Sequence, residues 1–284
     1  MSYKIIGDSC SDFTDAMKKS PLFQSIPLTL EIGDYHVQDD ENFQQKDFLR
    51  RVASSPIGPK TACPSPEAYR DAIEKAEADE IYIVTLSEHL SGSYQAAVVG
   101  LQMYEESRGE NKKRIHIFGS DSASAGQCNL CLYIQELKEE NADFDTVVKR
   151  IEEKIQSMKT YFVLESLETL RKNGRLSTVK SFLASALNIK PVMGAVHGVI
   201  VKLDQQRGSA KALKRMAQIA VEKAGGPESC KELRLVISHV NDRERAEFVR
   251  EEFLRLASFR EIVITEAQGV ATVYANDRGI VVAL

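Results

Sequence analysis

Apolar, β-rich runs alternate with amphipathic helical stretches through the first half of the sequence, and this alternation limits the folds that the chain can adopt. Strand-like runs occupy residues 3–6, 26–32, 81–86 and 114–118, and helical spacing covers residues 12–19, 66–77, 93–107 and 123–140. A strand, a helix and a further strand in this order form a βαβ unit, whose parallel sheet is covered by helices. The pattern therefore predicts the α/β fold class, with a doubly wound parallel sheet in an N-terminal domain.

The second half of the sequence has a different order of elements. Helices are predicted at 144–158, 166–172, 177–187, 208–224 and 242–257, and strands at 160–164, 189–193, 198–203, 233–238, 260–265, 270–274 and 279–283. Residues 276–279, Asn-Asp-Arg-Gly, are typical of a hairpin turn, and strands that a hairpin joins are antiparallel. A chain of 284 residues also favours two domains. We therefore expect domains 1–158 and 159–284, the second an α/β domain with a mixed sheet.

Composition and charge exclude several classes of protein. The hydrophobic content of 43% and the net charge of −4 are those of an ordinary globular chain. The first twenty residues lack the apolar core of a signal peptide, and no stretch approaches the roughly 18 apolar residues of a spanning helix. Five scattered cysteines, an odd number, do not form a secreted disulfide framework and are interpreted as thiols. We expect a cytoplasmic protein without stable membrane insertion.

Four predicted loops are rich in hydroxyl groups and lead into helices, at residues 7–12, 60–66, 90–94 and 119–122. Loops that follow parallel strands gather at the carboxyl edge of the sheet, where ligands usually bind. A hydroxyl beside a helix N-terminus can share the oxygens of an anion with free backbone amides, which suits a carboxylate. The alternative interpretation is that these side chains only cap their helices, because Ser and Asp are preferred there in any protein.

Cofactor sites are not indicated by the motifs. The sequence has no G-x-G-x-x-G, and residues 58–61, Gly-Pro-Lys-Thr, lack the earlier glycine of a phosphate-binding loop. Cys128 and Cys131 form a C-x-x-C inside a predicted helix, without the second pair that a zinc site needs. We therefore predict no nucleotide, no metal and no cofactor.

An alternative function is a serine esterase or lipase-like hydrolase that uses Ser9. Residues 7–9, Gly-Asp-Ser, resemble the block that holds the nucleophilic serine of one such class. That chemistry needs a histidine base, which these enzymes place near the C-terminus, three residues after an aspartate. None of the five histidines follows an aspartate at that spacing, and the last 45 residues contain no histidine.

Positive charge is concentrated between residues 171 and 215, where ten Lys or Arg face the single acid Asp204. Such an asymmetry indicates an acidic or phosphorylated partner, although solvated helix surfaces also carry many lysines. Nucleic acid is disfavoured because Phe182 is the only aromatic residue in this stretch, which leaves no stacking platform.

Six motifs occur in the order and spacing of one known family. They are Asp8-Ser9-x-Ser11-Asp12, Thr61-x-x-Pro64-Ser65-Pro66, Leu90-Ser91-Gly92-Ser93-Tyr94-Gln95, Asp121-Ser122, Leu167-x-x-Leu170-x-x-x-Gly174-Arg175-Leu176-Ser177 and Lys190-Pro191. Together they cover essentially the whole chain, and the chain resembles the DegV family. That resemblance implies a lipid-binding protein that acts as the fatty-acid-binding subunit of a bacterial fatty acid kinase.

The resemblance also implies roles for individual residues. Thr61 and Ser91 correspond to the two hydroxyls that hold the fatty acid carboxylate, and Ser93 is the nearest competitor. Arg207 and Arg175 correspond to basic positions where docking of the partner kinase is expected. The acyl chain would lie in a tunnel that residues 159–284 close.

Two positions depart from the family pattern. Cys63 stands where many members have Gln, and the usual C-terminal His-x-Gly-x-Gly segment is absent. Its histidine assists with the carboxylate, and Thr272 or Tyr274 could take that place here. The resemblance thus implies a protein that binds a long-chain fatty acid and presents its carboxylate to a separate kinase for acyl phosphate formation. We expect no catalysis by this chain alone.

Overall fold

A computed structural model describes residues 2–108, 113–176 and 188–284. Its strands are β1 (Tyr3–Asp8), β2 (Phe23–Ile26), β3 (Thr29–Ile32), β4 (Tyr35–Gln38), β5 (Lys60–Ala62), β6 (Glu80–Thr85), β7 (Arg114–Gly119), β8 (Thr160–Val163), β9 (Ile189–Val196), β10 (Val199–Arg207), β11 (Arg234–His239), β12 (Glu261–Glu266) and β13 (Ile280–Ala283). Its helices are α1 (Asp15–Lys19), α2 (Gln45–Ser54), α3 (Pro66–Lys75), α4 (Ser93–Arg108), α5 (Ala125–Glu139), α6 (Phe144–Ser157), α7 (Glu168–Lys172), α8 (Ser209–Lys223), α9 (Pro227–Cys230), α10 (Arg243–Leu256) and α11 (Gly269–Ala275). The predicted helix 177–187 lies outside the described residues.

The first sheet is parallel throughout, with the strand order β2-β1-β6-β7. Every residue of β6 is buried, which is typical of a strand covered on both faces. Tyr69 of α3 and Tyr104 of α4 pack on one face, and Ile134 of α5 and Ile151 of α6 pack on the other. The predicted doubly wound parallel sheet is confirmed.

The second sheet is mixed, with the strand order β10-β9-β8-β13-β11-β12. Only β11 and β12 run parallel, and every other pair in it is antiparallel. One face packs against α8 and α10 through residues such as Met216 and Phe253. Val236 and Ala283 belong to the same core as α5, so α5 packs between the two sheets. The mixed sheet is confirmed, and the division of the chain after residue 158 stays a prediction.

The segment 26–32 forms two strands where the sequence predicts one. β2 pairs with β1 in the parallel sheet, whereas β3 joins β4 and β5 in a small antiparallel sheet. Pro27 lies between them and has no N–H to continue a ladder. The next residue, Leu28, donates its N–H to the hydroxyl of Ser9. The break places Leu30 of β3 opposite Thr61 of β5.

The predicted strand 270–274 is wrong, because these residues form the helix α11. The predicted hairpin at 276–279 is wrong as well, since this turn links α11 to β13, and β13 pairs with β8 and β11. The Val-Ala-Thr-Val run suits a strand by composition. Burial on nearly all sides and capping by a distant aspartate stabilise it as a helix.

The predicted helix 12–19 begins late. Asp12 has a left-handed backbone conformation, with φ of 45°, and α1 begins only at Asp15 with Thr14 as its N-cap. Residues Ser9–Ser11 instead form one turn of 3₁₀ helix. This local conformation keeps the Asp12 carboxylate inside the protein.

Candidate functional site

An apolar cavity lies where α11 and the mixed sheet meet the loops of the parallel sheet. About 810 Å³ of space lies between protein atoms there, a figure that includes open solvent at the mouth. Its apolar wall comes from both halves of the chain and includes Leu86, Leu90, Phe162, Leu164, Leu170, Ala195, Ile200, Val270, Ala271, Ala275 and Val281. A cavity with this wall suits a hydrocarbon chain.

Thr61 and Tyr274 form the first polar pair on the cavity wall. Thr61 lies on β5 and Tyr274 near the end of α11, and their side-chain oxygens are 2.9 Å apart. Both residues line the cavity. Each hydroxyl can donate one hydrogen bond, so the pair can hold one oxygen of a carboxylate while keeping the contact between them.

Ser91 and Ser93 form the second polar pair, at the start of α4. Their side-chain oxygens are 3.0 Å apart, and the backbone N–H of Ser93 donates to the Ser91 hydroxyl over 3.2 Å. Ser91 lines the cavity, whereas Ser93 is fully buried beside it and does not. The geometry thus favours Ser91 over its competitor as the group that meets a ligand.

Thr272 and Tyr274 are the two candidates for a third contact with the carboxylate. Their side chains point in different directions because both residues lie on the helix α11. Positions two residues apart on a helix face nearly opposite directions, whereas on a strand they share a face. Thr272 is buried and accepts a hydrogen bond from the Gln45 amide over 3.0 Å, away from the cavity. Tyr274 reaches the cavity wall. Of these two residues, only Tyr274 is placed to contact a ligand.

The two arginines expected at a docking surface occupy different surroundings. Arg207 is exposed at the end of the edge strand β10. Arg175 is half-buried and lines the cavity, where its guanidinium donates to the backbone oxygens of Leu90 and Asn173. It also lies 5.7 Å from the centre of the Tyr274 ring. Arg175 therefore belongs to the cavity wall, and its part in docking stays a prediction.

Two buried aspartates, Asp12 and Asp39, hold the start of α11, a role that their sequence surroundings do not indicate. The backbone N–H groups of Gly269 and Val270 donate to the two carboxylate oxygens of Asp39, over 2.6 and 2.9 Å. Gln268 donates its N–H to Asp12 over 2.6 Å. Burial raises the pKa of Asp39 to about 7 and that of Asp12 to about 6. Asp39 follows β4 without opening any helix of its own, so no local signal indicates its role.

Ser9 does not have the surroundings of a nucleophile. Its hydroxyl is buried and accepts the N–H of Leu28 over 3.1 Å. It does not line the apolar cavity, and among the described residues no hydrogen bond joins it to a histidine. The geometry gives no support to the hydrolase alternative.

The described part of the chain comprises residues 2–108, 113–176 and 188–284. These residues contain no cluster of three or more His, Cys, Asp or Glu side chains that could hold a metal ion. Their helices include none with the length and apolarity needed to cross a bilayer. The five cysteines are free thiols, of which Cys63 is exposed and the others are buried.

Comparisons with known proteins give the family. Residues 2–284 match the family model described as an uncharacterised protein of the DegV family. A DegV domain-containing protein of Streptococcus pneumoniae is 30% identical over 99% of this chain and 98% of its own length. A DegV family protein from Ruminococcus gnavus, solved with vaccenic acid, is 42% identical with a TM-score of 0.95, and 100% of each chain is covered.

A second similar structure is that of a protein loaded with linoleic acid. The Streptococcus pneumoniae fatty acid kinase (Fak) B3 protein loaded with linoleic acid is 29% identical, with a TM-score of 0.85. The match covers 100% of this chain and 99% of that one. The sequence motifs, the fold and these matches agree, and the chain belongs to the DegV family.

Proposed function

We propose that this protein binds a long-chain fatty acid, with the tail in the apolar cavity and the carboxylate between Thr61, Ser91 and Tyr274. The observation that carries this proposal is an almost wholly apolar cavity with these three hydroxyls on its wall. The vaccenic acid in the Ruminococcus gnavus protein and the linoleic acid in the Streptococcus pneumoniae protein support it. No other ligand is needed for this binding.

The energetics suit a carrier whose tail cavity sets the affinity. Burying about 16 carbons at roughly 0.8 kcal/mol per CH₂ offers on the order of 10 kcal/mol before the cost of association. A single hydrogen bond contributes about 1 kcal/mol net. The hydroxyls therefore act mainly on the position of the carboxylate.

In our proposal the carboxylate is presented to a second protein, a fatty acid kinase. The kinase converts the carboxylate into the acyl phosphate, which is used in phospholipid synthesis. Neutral hydroxyl donors orient a carboxylate without the full charge neutralisation of a bidentate arginine, so its oxygens stay nucleophilic. Arg207 is exposed on an edge strand, which suits docking of that partner. This chain contributes binding and orientation, and the kinase contributes the phosphoryl transfer.

The proposal also includes the two-domain organisation of the chain and its location in the cytoplasm. Residues 159–284 close the cavity over the loops of residues 1–158, and both parts contribute to its wall. Five free thiols are in keeping with the reducing conditions of a cytoplasmic protein.

Mass spectrometry of lipid extracted from the purified protein tests the binding. We expect near-equal amounts of fatty acid and protein. A protein that carries no fatty acid after loading with oleic acid would contradict the proposal. Acyl phosphate formation with the kinase of the same organism then tests presentation separately from binding.

A further inference from the structure

One face of the mixed sheet forms the floor of the apolar cavity. On β8, Phe162 and Leu164 point toward the cavity. Tyr161 and Val163 belong instead to the core on the opposite side of the sheet, which includes α8. Because side chains alternate between the two faces of a strand, Thr160 lies on the same face as Phe162, and it also lines the cavity. The strand β8 therefore runs along the floor from Thr160 to Leu164.

The Leu164 end of this floor lies near the proposed carboxylate site. Leu164 packs in one core cluster with Leu170, whose backbone oxygen accepts the N–H of Arg175 over 2.9 Å. The Arg175 guanidinium in turn lies 5.7 Å from the centre of the Tyr274 ring, which carries one of the three hydroxyls proposed to hold the carboxylate. Four residues of a strand span about 13 Å, so the Thr160 end is about that far from Leu164. The tail of a bound fatty acid therefore points toward Thr160.

Ala195 lies beside Thr160 in the row of side chains that ends the floor. Gly194 of β9 pairs with Tyr161 of β8 in an antiparallel register. The next position along therefore places Ala195 beside Thr160, and on its other side Ala195 pairs with Ile200 of β10. The strand β8 begins in this row, and β9 ends one residue beyond it, so the floor stops here.

The wall of the cavity is thin at Ala195. This residue has the smallest side chain of its row, and it is partly exposed. Together with Asp121 and Thr160 it lines both the cavity and a small cleft on the outside of the protein. The Thr160 hydroxyl is held by the hydroxyl of Ser122 over 2.6 Å, so the Thr160 side chain is fixed in position. The size of the side chain at position 195 thus decides how much room remains at this end.

We infer that Ala195 marks the tail end of the cavity and limits the length of the acyl chain that the protein binds. The inference rests on the proposed function, because it takes the cavity as a fatty acid site. A larger side chain at this position would project from the floor into the space of the last methylene groups of a long tail. A packed interior does not absorb added atoms without strain, so a long tail would be excluded. A shorter tail that ends before Ala195 would bind as before.

Loading with an equimolar excess of myristic and stearic acid, followed by mass spectrometry of the extracted lipid, tests this inference on Ala195→Leu. Each buried methylene group is worth roughly fourfold in affinity. Exclusion of two or more should therefore lower the bound ratio of stearic to myristic acid at least about tenfold below that of the wild type. Val196→Leu enlarges an exposed side chain on the opposite face of β9 and should keep the wild-type ratio.

The ratio of the two acids is measured within one sample, so a partial loss of folded protein does not change it. Ala195→Val adds less volume, suits a strand because Val is β-branched, and should lower the ratio by about threefold. A wild-type ratio in both Ala195 variants would overturn the inference, while fatty acid bound to the wild type would still support the proposed function. A wild-type protein that binds neither acid would contradict the proposed function, and the inference with it.

Discussion

The phenol oxygen of Tyr274 lies 2.9 Å from the hydroxyl oxygen of Thr61, across the wall of the apolar cavity. The two residues come from α11 and from β5, which are separated by more than 200 positions in sequence. Of Thr272 and Tyr274, the two residues expected to offer a third carboxylate contact, Tyr274 is the one that lines the cavity. A phenol can donate a hydrogen bond there without adding a charge.

Tyr274→Phe should weaken presentation of the fatty acid more than its binding. The substitution keeps the ring in the cavity wall and removes only the oxygen near Thr61. A hydrogen bond to a charged group is worth about 1.5–3 kcal/mol, so we expect acyl phosphate formation to fall by about tenfold to a hundredfold. The rate is measured with the partner kinase, and Tyr35→Phe, on β4 outside the cavity, is the matched control. A rate equal to that of the control would remove Tyr274 from the site.

The double variant Thr61→Ala and Ser91→Ala should fold and retain lipid but lose most acyl phosphate formation. In the proposed binding mode the tail contributes most of the binding free energy, whereas these hydroxyls orient the carboxylate. Circular dichroism, extracted lipid and the kinase-coupled rate give the three measurements. Ser107→Ala changes an exposed serine of α4 and should match the wild type. Full activity in the double variant would show that the carboxylate lies elsewhere.

Asp39→Ala should destabilise the protein and loosen the cavity wall at α11. The substitution leaves the N–H groups of Gly269 and Val270 without their acceptors. Loss of a helix cap costs about 0.5–2 kcal/mol, and we expect a loss of this size in the free energy of unfolding. Urea denaturation measures it, with Asp34→Ala, which changes an exposed aspartate in the turn between β3 and β4, as the control. Equal stability of the two variants would mean that α11 does not depend on Asp39.

The stability contribution of Asp39 should depend on pH. Its pKa in the folded chain is raised by burial from 3.8 to about 7, so over that interval the folded chain keeps a proton that the unfolded chain has released. The contribution is therefore greatest at low pH and declines as pH rises through about 7. The difference in the free energy of unfolding between the wild type and Asp39→Asn should move in favour of the wild type from about pH 8 to about pH 5. A difference that does not change with pH contradicts the raised pKa.

Arg207→Ala should weaken coupling to the kinase while fatty acid stays bound. Its side chain is exposed and does not line the cavity, so its loss leaves the lipid site intact. We expect a higher concentration of the variant for half-maximal kinase rate and an unchanged amount of extracted lipid. Arg50→Ala, another exposed arginine, is the control. Unchanged coupling would place docking on another surface.

The main architecture follows from local patterns. The runs around β1, β6 and β7 and the amphipathic helices between them predict a doubly wound sheet, because burial requires a matching periodicity in each element. Thr61 and Ser91 stand out as hydroxyls in predicted loops that lead into helices and as members of family motifs. Both residues line the cavity.

Other features depend on contacts between distant residues. Residues 269–275 have a composition that suits a strand, yet Asp39 caps them as a helix from 230 positions away. Because these residues form a helix, the side chain of Thr272 points toward Gln45 and that of Tyr274 toward the cavity. Arg175 is a basic residue in a basic stretch by sequence, and only packing against Leu90 and Tyr274 makes it part of the cavity wall.

The sequence by itself therefore determined the α/β class, the parallel sheet and the hydroxyl-bearing loops, since each follows from periodicity or motif spacing within a short window. The mixed sheet was expected from a hairpin at 276–279 that does not form, and contacts between distant strands decide its order. The tertiary structure decided which of those hydroxyls meet the cavity. It also decided how α11 is held by Asp39, whose carboxylate accepts the N–H groups of Gly269 and Val270. Caps, cavities and unpaired buried groups arise from the meeting of distant segments, and no local pattern specifies them.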